Sequence, residues 1–133
     1  MKMLYLYLLT IPVFFAIDIL WIGLIARRFY REHLGHLLRP NVNWPAAVIF
    51  YLLYISGILI FAVMPALEKN ALSQAMMLGG LFGFLAYATY DLTNLATLKD
   101  WPVKVVVVDI LWGVVLTASV SAASYGIGRW LMP

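Results

Sequence analysis

Four apolar runs, each long enough to cross a bilayer, fill nearly all of this chain and leave only short polar breaks between them. They cover residues 3–26, 46–66, 72–95 and 103–127. One membrane helix needs about 20 apolar residues, so four spans occupy the 133 residues and leave no room for a second domain. Composition agrees, with 65% of residues apolar and 11% charged, against about 25% charged in an average soluble domain. A small soluble domain keeps too much of its area in water to hide that much apolar surface. Soluble enzymes, nucleic-acid binders and disordered chains are therefore excluded. β-Barrel strands would be short and alternating, whereas these runs are long and continuous. The sequence predicts an all-α integral membrane four-helix bundle, folded as one transmembrane domain.

The breaks carry clear punctuation. Arg27, Arg28, Arg31 and Glu32 stop the first run, and Pro40 and Pro45 bracket the start of the second. Pro65 with Glu68, Lys69 and Asn70 marks a tight turn, and Pro102 after Lys99, Asp100 and Trp101 suits the start of a helix. The first and third breaks hold six lysines and arginines (Arg27, Arg28, Arg31, Arg39, Lys99, Lys104), and the other side holds three (Lys2, Lys69, Arg129). The positive-inside rule then places both termini on the non-cytoplasmic side of a bacterial inner membrane. Trp44, Trp101 and Trp130 stand at run ends, where interfacial anchors belong. The first run contains Asp18 and Trp21 and lacks a small-x-small cleavage site, so it reads as a retained helix rather than a signal peptide.

The informative residues are Asp18, Asp91 and Asp109, each inside an apolar run. An ionisable side chain is costly there and faces a bundle interior or a water-filled cavity. At 1.5 Å per residue, Asp18 lies about 12 Å from its loop-side end, and Asp91 and Asp109 about 6–9 Å from theirs. Three helices thus deliver a carboxylate to nearly one level. Three carboxylates in one apolar interior cannot all carry bare charge. They share protons, pair with a cation such as Lys104 or Arg27, hold a ligand, or fix the bundle register through hydrogen bonds.

Helical spacing assigns faces. On the third run Gly80, Gly83, Tyr87, Asp91 and Asn94 recur at three- and four-residue steps. On the fourth, Asp109, Gly113, Thr117, Ser121, Ser124 and Gly128 do the same. Small residues at that spacing let helices approach closely in lipid, so Gly80, Gly83, Gly113, Thr117 and Ser121 are expected at a helix contact. Tyr51 and Tyr54 come to the same half of the bundle. The run Asp18-Ile-Leu-Trp21 recurs as Asp109-Ile-Leu-Trp112 on a helix of opposite direction, a pattern that inverted-repeat transporters share. The flanking residues do not extend the repeat.

Other signals are weaker. The chain has no cysteine, so thiolate metal sites are excluded. His33 and His36 could share a helical face, but a metal site needs three or four ligands, so no metal site is assigned. A basic amphipathic segment from Arg27 to Arg39 lying on lipid headgroups is the better reading. Gly79, Gly80 and Gly83 lack the strand and lysine of a phosphate loop. No cofactor can be named.

From Tyr87-Ala-Thr-Tyr-Asp91-Leu-Thr-Asn94 through Lys99-Asp-Trp101-Pro102 to Asp109-Ile-Leu-Trp112-Gly113, with Asp18-Ile-Leu-Trp21 in the first run, the chain resembles a bacterial family of predicted membrane proteins, DUF2177. The likeness extends over nearly the whole chain. It implies a four-helix inner-membrane protein and assigns no activity, cofactor or catalytic residue.

The residues favour a small transporter or ligand-binding membrane protein, coupled to protons or cations. In it Asp18, Asp91 and Asp109 bind protons or a cationic, polar or lipid-soluble ligand, and Tyr87, Tyr90, Asn94, Trp21 and Trp112 line the site. Four helices are few for a complete pathway, so a homodimer in the lipid bilayer is expected under a transport role. The alternatives are a membrane enzyme using the aspartates as acid and base on a lipid or lipid-soluble substrate, and a non-catalytic partner subunit. No nucleic acid is expected as a partner.

Overall fold

The structure, a computed structural model covering residues 1–133, contains four helices long and apolar enough to cross a membrane. They are α1 (Lys2–Ile25), α3 (Trp44–Lys69), α4 (Leu72–Thr97) and α5 (Val103–Leu131), with a short α2 (Arg27–Leu34) between the first two. At 1.5 Å per residue the long helices reach about 36–44 Å, more than the roughly 30 Å of a hydrocarbon core. No strand is present. The protein is an all-α membrane bundle. Both termini and the turn at Asn70 lie at one end, and α2 and the 98–102 loop lie at the other.

Local chemistry sets the ends. The Asn43 side chain accepts from the Ala46 N–H at 3.2 Å, capping α3, and Pro45 occupies its first turn. Asn70 closes α3 in the left-handed region, φ 50° and ψ 43°, which asparagine tolerates better than most side chains. The Arg129 guanidinium donates to its side-chain oxygen at 2.5 Å, tying the end of α5 to this turn.

Two wide turns interrupt the helices. Leu59–Val63 is wound as a π-helix just before Pro65, whose missing N–H and bulky ring disturb the carbonyl four residues back. Leu20–Ile25 ends α1 in the same way, and the Ala26 N–H bonds back to the Trp21 carbonyl at 2.7 Å. The chain then bends into α2, because Arg27, Arg28 and Arg31 stay out of hydrocarbon. α2 folds back on the bundle and packs Leu34 against Trp101, Val105 and Val106.

α4 and α5 form the closest pair. A Cβ on Gly83 would run into the Gly113 carbonyl and Thr117, one on Gly79 into Ser121, and one on Gly113 into the Tyr87 ring. Gly80 is turned one step away and has room for a Cβ. α1 lies on α5, where Thr10 and Ser124 share a hydrogen bond of 2.8 Å. In the termini half, Phe14, Ile58, Leu116 and Val120 are buried together and fill the centre.

α3 packs unevenly. From Tyr54 onward it buries Ile55, Ile58, Leu59, Ala62 and Val63, while no residue between Trp44 and Leu53 is buried. Its first half leans away from α4 and α5. Tyr54 marks the closing point, bonded to Thr117 at 2.7 Å and stacked on Phe82.

One expectation about anchors is corrected. Trp44 and Trp130 are exposed at helix ends, but Trp101 is only 9% exposed. The hydrophobic cluster under α2 draws its indole inward, where it meets Tyr90 edge-to-face at 5.8 Å.

Candidate functional site

The bundle's loop end opens where α3 leans out. Here a cavity of about 380 Å³ is lined by Asp18 and Trp21 of α1, Arg27, Tyr30 and Arg31 of α2, Tyr51 of α3, Tyr87 and Tyr90 of α4, Trp101 of the 98–102 loop, and Asp109 and Trp112 of α5. A second space of about 360 Å³ lies between α3 and α4, walled by Phe50, Tyr54, Ala86, Tyr87, Tyr90 and Asp109. The two share Phe50, Tyr87, Tyr90 and Asp109, so they are neighbouring parts of one cleft. Phe50 and Tyr90 are 50% and 56% exposed on the outer surface of the bundle, so the cleft also opens sideways.

The carboxylates are held differently. Asp18 is buried, with the Trp112 indole N–H directed at it at 3.4 Å and the Tyr51 hydroxyl facing it. Asp109 accepts from the Tyr30 hydroxyl at 2.7 Å, and that oxygen in turn accepts from the Trp21 indole at 3.2 Å. Asp91 is 0% exposed and neither of its oxygens has a hydrogen-bond partner. It faces Asp109 and the Trp101 indole, whose N–H is likewise buried and unpartnered. An unpaired buried polar group is costly, and Asp91 and Trp101 face each other in the interior without closing a hydrogen bond.

The two Asp-Ile-Leu-Trp runs are interlocked. Trp21 and Trp112 stack with centroids 4.6 Å apart and planes 10° apart. Trp112 reaches Asp18, and Trp21 reaches Asp109 through Tyr30. Each tryptophan thus serves the aspartate of the other copy, an exchange that antiparallel packing of α1 on α5 makes available.

No cation neutralises the group. The one ion pair in the chain is Arg28–Glu32, exposed on α2. The expected pairing of Asp109 with Lys104 does not form, because five residues is about 140° around a helix of 3.6 residues per turn. Lys104 faces outward, and Tyr30 takes its place. Arg27 and Arg31 line the cavity without a carboxylate partner.

Of the predicted site residues, Asp18, Asp109, Tyr87, Tyr90, Trp21 and Trp112 line the cavity. Asp91 stands behind Asp109, and Asn94 lies one turn further along α4, outside it. Gly83, Gly113, Thr117 and Ser121 sit at the α4–α5 contact together with Gly79, where periodicity pointed to Gly80. Sequence reasoning missed Tyr30 and Trp101. The signal for Tyr30 was the apolar face Tyr30–Leu34 set among arginines. His33 is engaged locally, with Nδ1 2.9 Å from the Phe29 carbonyl.

Tyr30 lies outside the spanning helices. Burial first, and then the neighbouring Asp109, push its hydroxyl well above the ordinary tyrosine value. It stays a neutral donor at physiological pH.

The family model for predicted membrane protein DUF2177 matches residues 3–126. The chain belongs to this family. No curated protein and no solved structure matches it. Membership agrees with the four spanning helices, and the matched segment contains every residue of the cavity wall.

Proposed function

We propose that the chain is a ligand-binding protein of the bacterial inner membrane, with its site in the cytoplasmic half and both termini on the opposite side. The six-to-three excess of lysine and arginine around α2 and the 98–102 loop supports that orientation. The observation that carries the reading is Asp91, wholly buried and unpartnered behind a cavity whose other two carboxylates, Asp18 and Asp109, also lack a cation. A volume of about 380 Å³ lies within the roughly 300–1,000 Å³ of small-molecule sites. Asp18, Asp91 and Asp109 act together as proton-carrying and cation-accepting groups, with Trp21, Trp112, Tyr87 and Tyr90 as the wall.

The packed centre of Phe14, Ile58, Leu116 and Val120 favours a site open to one side over a continuous path through one protomer. Transport under this reading requires that plug to part, or a second protomer to supply the other gate. The sideways opening at Phe50 and Tyr90 favours a second role, acid–base chemistry on a lipid-borne substrate by the same aspartates.

Native mass spectrometry of the protein extracted from its own membranes tests the binding role. The expected result is a defined retained mass that disappears in Asp91→Asn. A bare protein, together with Asp18→Asn and Asp91→Asn variants that transport and bind every offered solute like the parent, would overturn it.

A further inference from the structure

The cavity holds unpaired charges of both signs. Arg27 and Arg31 line its mouth, Asp18 and Asp109 line its depth, and no ion pair joins the two sets. Ionisable groups inside an apolar bundle are costly, so a ligand cation would offset the carboxylates, while the exposed Arg27 and Arg31 are free to take its anionic group. Around the carboxylates stand Trp21, Trp112, Tyr30, Tyr51 and Tyr87, and aromatic faces beside a carboxylate suit an ammonium group. Asp91 and the Trp101 N–H, both buried without partners, lie against the same depth. Asp18 and Asp109 each accept from one side chain and keep further lone pairs free, which favours an ammonium bearing N–H bonds over a quaternary one. The sideways opening between Phe50 and Tyr90 gives an apolar chain a way out into the bilayer.

We propose that the ligand is a membrane aminophospholipid, its phosphate on Arg27 and Arg31, its primary ammonium among Asp18, Asp109 and the aromatic wall, and its acyl chains leaving between α3 and α4. This rests on the ligand-binding reading above and adds the ligand class.

The test offers the detergent-purified protein phosphatidylethanolamine, phosphatidylcholine and phosphatidylglycerol with identical acyl chains, and reads retained lipid by native mass spectrometry. Phosphatidylethanolamine is expected to be held about tenfold more tightly than either of the others, the scale of one charge-assisted hydrogen bond that a quaternary ammonium cannot make. Asp18→Asn with Asp109→Asn should reduce it to the level of phosphatidylcholine, and R27Q with R31Q should weaken all three. Soluble phosphoethanolamine at equal concentration should not displace the lipid. Equal retention of the three lipids by the parent protein, a preference for phosphatidylglycerol, or displacement by the soluble head group would overturn the proposal. The parent's selectivity decides even where a variant fails to fold. A different retained mass that still depends on Asp91 would overturn the aminophospholipid and leave the binding site standing. No retained mass and no effect of any aspartate would remove both.

Discussion

Trp112 of α5 points its indole N–H at Asp18 of α1, 3.4 Å away and 94 positions earlier in the chain. The contact is long, so its worth lies less in the bond than in what Asp18 loses without it. A buried carboxylate deprived of a donor costs about 1–3 kcal/mol. Trp112→Phe keeps a ring against Trp21 and removes the N–H, so it should destabilise the bundle by roughly that amount. In Asp18→Asn the same change should cost less, with a coupling of about 0.6–1.7 kcal/mol, the range of interhelical hydrogen bonds in membranes. Unfolding of the four proteins of this cycle in mixed detergent measures it, and strict additivity would refute the pairing.

The α4–α5 contact predicts opposite outcomes for two neighbouring glycines. Gly83→Ala pushes a methyl into the Gly113 carbonyl, which is backbone and cannot turn aside. The helices must separate, at about 1–3 kcal/mol for an overpacked site. Gly80→Ala meets Val114 at 3.6 Å and Ala118 at 3.9 Å, both ordinary van der Waals contacts, and it gains up to about 1 kcal/mol of helix propensity. Unfolding midpoints should move apart in these directions, and equal losses would contradict the assigned faces.

The difference between Gly79 and Gly80 shows where the sequence stops informing. Spans are legible because hydrocarbon demands about 20 apolar residues and the backbone must satisfy itself. The common level of Asp18, Asp91 and Asp109 follows from a fixed rise per residue. Which side of a helix faces inward is poorly encoded, because lipid and protein interior are equally apolar and no amphipathic stripe is needed. A shift of one residue is about 100° of rotation, enough to exchange Gly80 for Gly79. Trp101 looks like a lipid anchor in the sequence for the same reason, since nothing local announces that α2 folds over it. The lean of α3, which creates the cleft, arises from packing after Tyr54 and leaves no mark in residues 44–53.

Tyr30 joins α2 to Asp109 only while it is protonated. Its hydroxyl is held above the ordinary tyrosine value in the folded protein by burial and then by Asp109, so the native state binds this proton more tightly than the unfolded chain. The stability it contributes is fully present below the unfolded tyrosine value of about 10 and is lost as pH rises beyond it. The stability difference between the parent and Tyr30→Phe should therefore be flat from neutral pH to about 10 and shrink above that. Chemical unfolding across that range reads the curve. A difference that changes between pH 6 and 9 would assign the effect to another group.

The orientation can be tested without disturbing the site, because the chain has no cysteine to remove. Glu68 lies in the turn region at the termini end and His36 follows α2 at the arginine-bearing end, and both are exposed. In intact cells stripped of outer barriers, a membrane-impermeant maleimide should label Glu68→Cys and leave His36→Cys unlabelled until the membrane is opened. Short loops rich in lysine and arginine stay in the cytoplasm, and the six-to-three bias has to do that work alone here. The reverse pattern would move the mouth under Arg27 and Arg31 to the outer leaflet. The cleft would then draw its ligand from that leaflet, and its aspartates would face the external pH.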